Sequence, residues 1–367
     1  MKKKLLFVLN DMNIGGTEKA FLNLVDEIPP EENDVTLLLL KKSGGFLDMV
    51  PEWVRVEEIP GYDEMKAEIL DPPLPIVKKY LRSGKVFRGL ALGLTHLFFK
   101  LTGNRVPYYR VVLRGKRKAE QYDTAIAYCG PFDFLSVYVL YCVKAARKVQ
   151  WIHFDVSKFQ FNTKTCKKMY RKFQQIYVVS EEARRELLKK LPEVAPICKT
   201  FLNVVSPKRC RELGAVGEGF TDGFSGKRIV TVGRLSAEKG QDIIPEVARK
   251  LRDAGVNFRW YLIGDGKLRK QIENMAAQYD LTEQIVLLGT QTNPYPFLKD
   301  ADLYVQTSVH EGYCITLAEA KAFNLPIVST DCAGAHEQLE GEENCFVVKR
   351  EAQDIYLHIQ KALNDSE

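Results

Sequence analysis

The chain is built from short, nearly continuous apolar runs, each followed by a turn and then a segment with helical spacing of its apolar positions. In the first half these runs are LLFVLN (5–10), VTLLLL (35–40), DTAIAYC (123–129), KVQWIHF (148–154) and QIYVVS (175–180). In the second half they are RIVTVG (228–233), FRWYLIG (258–264), QIVLLG (284–289), LYVQTS (303–308), PIVST (326–330) and CFVVK (345–349). Runs that are apolar throughout, rather than at alternate positions, predict strands covered on both faces. TEKAFLNLVDEI (17–28) predicts a helix after the first strand, and further helices are expected to begin near Lys239, Gly266, Pro294, Cys314 and Gly334. Strand and helix therefore alternate, which predicts an α/β chain of parallel sheets packed between helices.

The 367 residues suit two domains better than one. The Gly-rich, charged stretch at 206–226 interrupts the strand series. The expected division is a first Rossmann-like domain over 1–205, a linker over 206–226, a second such domain over 227–350, and a C-terminal helix over 351–367 near the boundary. Hydrophobic residues make up 46% of the chain and charged ones 27%, enough for a core in each domain. The eight cysteines contain no CxxC pair, so reduced thiols are expected rather than disulfides or structural zinc. The five histidines form no metal-ligand run, and no metal site is expected. MKKKLLFVLNDMNIGG has the basic start of a signal peptide, but Asp11 and Asn13 cut its apolar run short; it reads as a buried strand entering a ligand loop.

Several positions carry candidate chemistry. Gly15 and Gly16 follow the first strand, where backbone N–H groups at a helix start can hold an anion or simply form a turn. His153 ends an apolar run beside Asp155 and reads either as a packed histidine or as a ligand contact at a strand end. Arg234 and Lys239 in GRLSAEKG, after Gly233, form a basic pair suited to a diphosphate: arginine can fork between oxygens and lysine supplies a point charge. Gly264, Asp265 and Gly266 form a tight turn. Glu311 and Glu319 lie eight positions apart, one just before an expected helix and one about two turns along it. Two carboxylates so spaced can meet two hydroxyl-rich parts of one ligand.

In order, VGRLSAEKG, LIGDG, VLLGTQTNP and EGYCITLAE, with NIGGTEKA, WIHFD and VVSEEAR in the first half, resemble the retaining glycosyltransferases of family 4, of the bacterial surface-polysaccharide type. The resemblance implies the GT-B fold, two Rossmann-like domains facing each other across a cleft. It implies transfer of a sugar from a nucleotide-diphosphate-sugar, UDP-sugar favoured, with retention and without a metal. His153, Arg234, Lys239 and Glu311 take the catalytic positions in this reading. Gly15, Gly16, Gly233, Gly264, Gly312, Tyr313, Cys314, Ile315 and Glu319 form the donor-binding set, Glu319 on the ribose and Glu311 on the sugar. One departure stands out: Val204 follows Asn203 where many relatives have glycine, so Asn203 receives no ligand role. The competing readings are a catalytically silent GT-B subunit that organises a partner enzyme and a nucleotide-sugar epimerase of the same fold.

Residues 72–118 hold twelve Lys or Arg and no Asp or Glu, interleaved with large apolar residues. A basic amphipathic surface of this kind suits an anionic lipid surface, the other reading being a helix packed only on protein. The apolar run 89–99, closed by Lys100, is too short to span a bilayer. The expectation is a cytoplasmic enzyme on the inner membrane face acting on a lipid-linked saccharide in polysaccharide assembly. No nucleic-acid module accompanies the charge.

Overall fold

The structure, a computed structural model, describes residues 2–130, 134–154, 156 and 162–364. The chain divides into two compact units, Met1–Phe201 and Leu202–Glu367. Asp155 and residues 365–367 lie outside the described residues.

The first unit runs β1 (Lys3–Leu9), α1 (Gly16–Asp26), β2 (Asn33–Leu39), β3 (Arg55–Glu58), α2 (Tyr62–Leu70), α3 (Pro73–Arg82), α4 (Val86–Thr102), α5 (Val106–Val112), β4 (Gln121–Tyr128), α6 (Phe134–Cys142), β5 (Lys144–Ile152), α7 (Thr163–Tyr170), β6 (Gln175–Val178), α8 (Glu181–Lys190) and β7 (Cys198–Thr200). Its sheet is parallel, in the order β3-β2-β1-β4-β5-β6-β7. The second unit contains α9 (Pro207–Gly214), β8 (Lys227–Val232), α10 (Ile244–Asp253), β9 (Phe258–Ile263), α11 (Arg269–Gln278), β10 (Ile285–Gly289), α12 (Tyr295–Lys299), β11 (Leu303–Gln306), α13 (Ile315–Lys321), β12 (Ile327–Thr330), α14 (Ala335–Leu339), β13 (Cys345–Val348) and α15 (Ala352–Asn364). Its sheet, also parallel, is ordered β10-β9-β8-β11-β12-β13.

Each apolar run read from the sequence forms a strand. β3 and β7 had no such signal. Both are edge strands, and RVEE and CKT are short and partly exposed; an edge strand has less apolar surface to cover and so leaves a weak pattern. In the second unit, alternate residues of one strand enter opposite cores. Ile229, Trp260, Leu262, Leu303 and Val305 pack with α10, α11 and α15, and Val230, Tyr261, Ile263 and Tyr304 pack with α9, α12, α13 and α14. The stretch expected as a linker contains α9, whose Cys210 lies in the second of these cores. The segment expected near the boundary forms α15, whose Ile355, Ile359 and Leu363 enter the first.

Between β3 and β4 the first unit inserts four helices, α2 to α5. They are held by a buried carboxylate: Glu68 accepts both forks of Arg88 (Nε–Oε1 2.8 Å, Nη2–Oε2 2.7 Å) and the Tyr80 hydroxyl. Gly89 lets α4 lie against α3, since a Cβ there would meet Tyr80 Cβ at 3.2 Å and the Val77 carbonyl at 3.3 Å. The opposite side of α4 is bare. Phe87, Leu90, Leu94, Leu97, Phe98 and Leu101 recur at helical spacing along it, with Phe87 91% and Leu101 79% exposed.

Candidate functional site

The strand order of the second unit reverses between β8 and β11, whose chain continuations pass to opposite faces of the sheet. Such a switch point opens a crevice at the carboxyl ends of the two strands. The sequence places Gly233, Arg234 and Lys239 in the loop after β8, and Glu311, Gly312, Tyr313 and Cys314 in the loop after β11. The two loops are sewn together. Val309 and His310 donate their N–H groups to the Glu238 carbonyl (2.9 and 3.1 Å), and the Thr307 hydroxyl donates to the Lys239 carbonyl at 3.1 Å. Gly240 (φ 64°) permits this approach, because a Cβ there would lie 2.4 Å from the Thr307 carbonyl oxygen. Gly264, at the end of β9 with φ 144°, has the same function: a Cβ would fall 2.0 Å from the Gly233 carbonyl oxygen.

The two cations of the basic pair differ in their surroundings. Arg234 is exposed, and its guanidinium has no hydrogen-bond or ion-pair partner among the described residues; its backbone carbonyl is fixed by the Gln241 carboxamide at 2.9 Å. Lys239 is committed to Glu311, with Nζ 2.5 Å from Oε1, an oxygen that also accepts from the Ser308 hydroxyl at 2.6 Å. Burial opposes charge on Lys239, but the Glu311 carboxylate outweighs it and raises the lysine pKa above its usual value. Lys239 therefore stays cationic throughout the neutral range. Its ammonium has three donors, so one bond to Glu311 leaves others for an anion.

The sequence suggests that Glu311, just before a helix, and Glu319, about two turns along it, address one ligand. The helix begins at Ile315, so Glu311 sits in the preceding loop with Lys239 and Ser308. Glu319 is only 3% exposed and accepts the Tyr295 hydroxyl at 2.7 Å. Between them Cys314 adopts φ 61°, ψ 59°, a left-handed conformation that costs a non-glycine residue about 1–3 kcal/mol. It is pinned by its thiol, 3.2 Å from the Ala333 carbonyl and 3.5 Å from Cys332 Sγ, and by the Gln338 carboxamide, which donates to the Tyr313 and Cys314 carbonyls. Tyr313 is half-buried and Ile315 buried. The site is thus framed by Gln241, Tyr295, Ser308 and Gln338, none of which sequence reasoning singled out. Gln241 was findable as the residue next to GRLSAEKG, and Gln338 lies four residues after Gly334, where a helix was expected to begin; Tyr295 gave no signal.

In the first unit, Gly15 precedes α1 in extended backbone (φ −158°), and a Cβ on Gly16 would meet no atom within 4 Å. Gly16 therefore has room for a side chain in the fold of this unit. His153 lies just past β5, 8% exposed, with its ring stacked on Trp151 (9° between planes) and 4.2 Å from the Tyr128 ring centroid. Neither ring nitrogen has a hydrogen-bond partner among the described residues. Burial pushes its pKa down to about 3, so the imidazole is neutral. All eight cysteines are free thiols, and no group of three or more His, Cys, Asp or Glu among the described residues is placed to hold a metal ion.

Comparison with known proteins places this geometry. Residues 225–367 match the family described as Glycosyl transferases group 1. A protein of Methanocaldococcus jannaschii described as an uncharacterised glycosyltransferase is 34% identical over 126 residues, covering 34% of this chain and 30% of that protein. The N-acetylgalactosamine-N,N'-diacetylbacillosaminyl-diphospho-undecaprenol 4-alpha-N-acetylgalactosaminyltransferase of Campylobacter jejuni is 25% identical over 147 residues, covering 38% of this chain and 40% of that one. The matches thus span well under two thirds of these curated relatives. Among solved structures, Anabaena HepE in complex with UDP superposes with a TM-score of 0.66 at 18% identity, covering 100% of this chain and 91% of HepE. These findings correct the family-4 resemblance: the matching model is group 1, and the similar structures share a fold without placing the chain in family 4. The chain has the GT-B fold of two Rossmann-like domains, and its second domain matches Glycosyl transferases group 1.

Proposed function

We propose that this protein transfers a sugar from a nucleotide-diphosphate-sugar to an acceptor hydroxyl, with retention at the anomeric carbon. The observation that carries the reading is the switch-point crevice, with an Arg234 guanidinium that has no ion-pair partner among the described residues and a Lys239 ammonium charged throughout the neutral range. Cations there act where charge grows: as the glycosidic bond breaks, the diphosphate gains negative charge, which Arg234 and Lys239 stabilise more in the transition state than in the ground state. Glu311, oriented by Lys239 and Ser308, meets the donor sugar's hydroxyls, and Glu319 meets the ribose. We assign His153, neutral and with no ring-nitrogen partner among the described residues, a hydrogen bond to the transferred sugar. The departing diphosphate oxygen takes the proton of the incoming hydroxyl on the same face, so the step needs no metal and no separate base. HepE's complex with UDP supports a UDP-sugar donor.

The acceptor we propose is a lipid-linked saccharide, reached by peripheral docking on the inner, anionic face of the cytoplasmic membrane. The C. jejuni relative's diphospho-undecaprenol name supports the lipid-linked class. The bare apolar stripe of α4 supports docking, flanked by exposed Lys78, Lys79, Arg82, Lys85 and Lys100. Asn162 caps α7 and donates to the Thr102 carbonyl at 2.7 Å, which brings the exposed Lys164, Lys168 and Arg171 of that helix region beside the end of α4. No described helix is long and apolar enough to cross a membrane. The deciding experiment incubates the protein with a panel of nucleotide sugars, with and without polyprenyl-diphosphate-linked saccharides, and reads products by mass and by anomeric configuration. Release of nucleotide with no glycosylated product, or formation of an isomerised nucleotide sugar, rejects the transferase reading.

A further inference from the structure

Glu319 is a buried carboxylate in the middle of α13, and a buried carboxylate keeps one rotamer only if hydrogen bonds define it. Its donor comes from outside the recognised motifs. Tyr295 opens α12 from the NPYPF turn, is 2% exposed, and gives its hydroxyl proton to Glu319 Oε1 at 2.7 Å. The ring is wedged tightly: Phe323 lies 6.1 Å from it centroid to centroid, and the Cys210 thiol of α9 meets its hydroxyl. α9 and α12 pack directly on each other, and α13 packs on α9. The hydroxyl is thereby held by the packing of three helices, not by the loops after β8 and β11. Burial beside Glu319 raises the phenol's pKa far above its usual value, so the tyrosine remains a donor at every working pH.

We propose that Tyr295 is a positioning residue for nucleotide recognition: its hydroxyl fixes the Glu319 carboxylate in the rotamer that accepts hydrogen bonds from the ribose hydroxyls of the donor. This rests on the reading of Glu319 as the ribose contact. The consequence is a division of labour in the site. Diphosphate affinity depends on Arg234 and Lys239, while selectivity for an intact ribose depends on the α9–α12–α13 packing behind Glu319.

The test compares UDP with 2′,3′-dideoxyuridine 5′-diphosphate by calorimetry on the full chain. Wild type should prefer UDP by about tenfold or more, the worth of charge-assisted hydrogen bonds to the ribose. Tyr295→Phe should cut that preference several-fold while leaving dideoxy-UDP affinity within about twofold, because the diphosphate contacts are untouched. A general loosening of the fold would instead weaken both ligands alike. Glu319→Gln, which leaves no buried charge, should flatten the preference, and adding Tyr295→Phe to it should change the ratio no further. The double variant also keeps the test alive if the single tyrosine variant folds poorly. Equal binding of the two nucleotides by wild type overturns the ribose reading of Glu319 and this inference with it. A wild-type preference that survives intact in Tyr295→Phe, or a further drop in the ratio on adding that change to Glu319→Gln, overturns the positioning role alone.

Discussion

Replacing Lys239 with Ala is the sharpest perturbation of the site, because one side chain carries both a local ion pair and the proposed leaving-group charge. The static cost follows from geometry. Glu311, whose side chain is 10% exposed, would lose its 2.5 Å partner and keep only Ser308. Breaking a fully buried pair costs about 3–5 kcal/mol, but Lys239 is 28% exposed and water can replace part of what it supplied. A loss of about 1–2 kcal/mol is the reasoned value, a fall in melting temperature of about 2–8 °C for a domain of this size. The effect on chemistry is larger. Removing one preorganised donor from a developing oxyanion slows reactions by about 10²–10³, and kcat/KM should fall by that order with the protein still folded at the assay temperature. Lys239→Arg keeps charge but not the point geometry and should recover part of the rate. The pH profile adds a check on sign. The lysine pKa is raised in the folded state, so its contribution to stability is complete below the unfolded value of about 10.4 and is lost only as pH rises through the higher folded value. No ionisation of Lys239 should therefore appear in kcat/KM between pH 6 and 9. Steady-state kinetics with a saturating acceptor and a melting curve on the same preparation decide the matter. Unchanged kcat/KM in a folded Lys239→Ala protein, or a loss accounted for wholly by unfolding, refutes the assigned role.

Three further outcomes are expected. His153 is buried neutral with a pKa near 3, so it favours the folded state above the unfolded value of about 6.5, and that contribution is lost as pH falls toward 3; His153→Gln should flatten the fall in melting temperature between pH 6.5 and 4.5, and an unaltered slope would count against its burial. Arg88→Ala leaves Glu68 buried with Tyr80 alone and should cost about 2–4 kcal/mol, read by urea denaturation, with faster amide exchange concentrated in α3 and α4; no change in midpoint would show the clasp to be idle. Phe87→Ser with Leu94→Ser should abolish flotation with anionic liposomes, whereas Lys164→Glu with Lys168→Glu should remove only the dependence on anionic lipid, each basic residue contributing about 1 kcal/mol; equal recovery of wild type with and without vesicles would reject docking.

The strands of both sheets were legible in the chain because a parallel strand covered on both faces must be apolar at every position, and LLFVLN or RIVTVG satisfies that locally. The basic pair and the turn glycines were legible for a similar reason: a strand end with glycine and a cation carries its chemistry within a few residues. What the sequence could not supply were partners distant along the chain. Lys239 and Glu311 are separated by 72 positions and Tyr295 and Glu319 by 24, and nothing in either segment records the other. The sequence shows a lysine and a carboxylate far apart along the chain; the fold makes them an ion pair, because β8 and β11 are neighbouring parallel strands whose following loops emerge side by side at the same end of the sheet. The edge strands β3 and β7 were invisible because they bury too little to need an apolar run. The stretch 206–226 read as a linker from its glycines and charges, yet Cys210 and Leu213 find an apolar surface on α12 and make α9 part of the second core. Local pattern determined which segments are strands and where charge sits; tertiary packing decided which charges meet, since hydrogen bonds and ion pairs are set by distance in space and sequence spacing fixes that distance only within a single element.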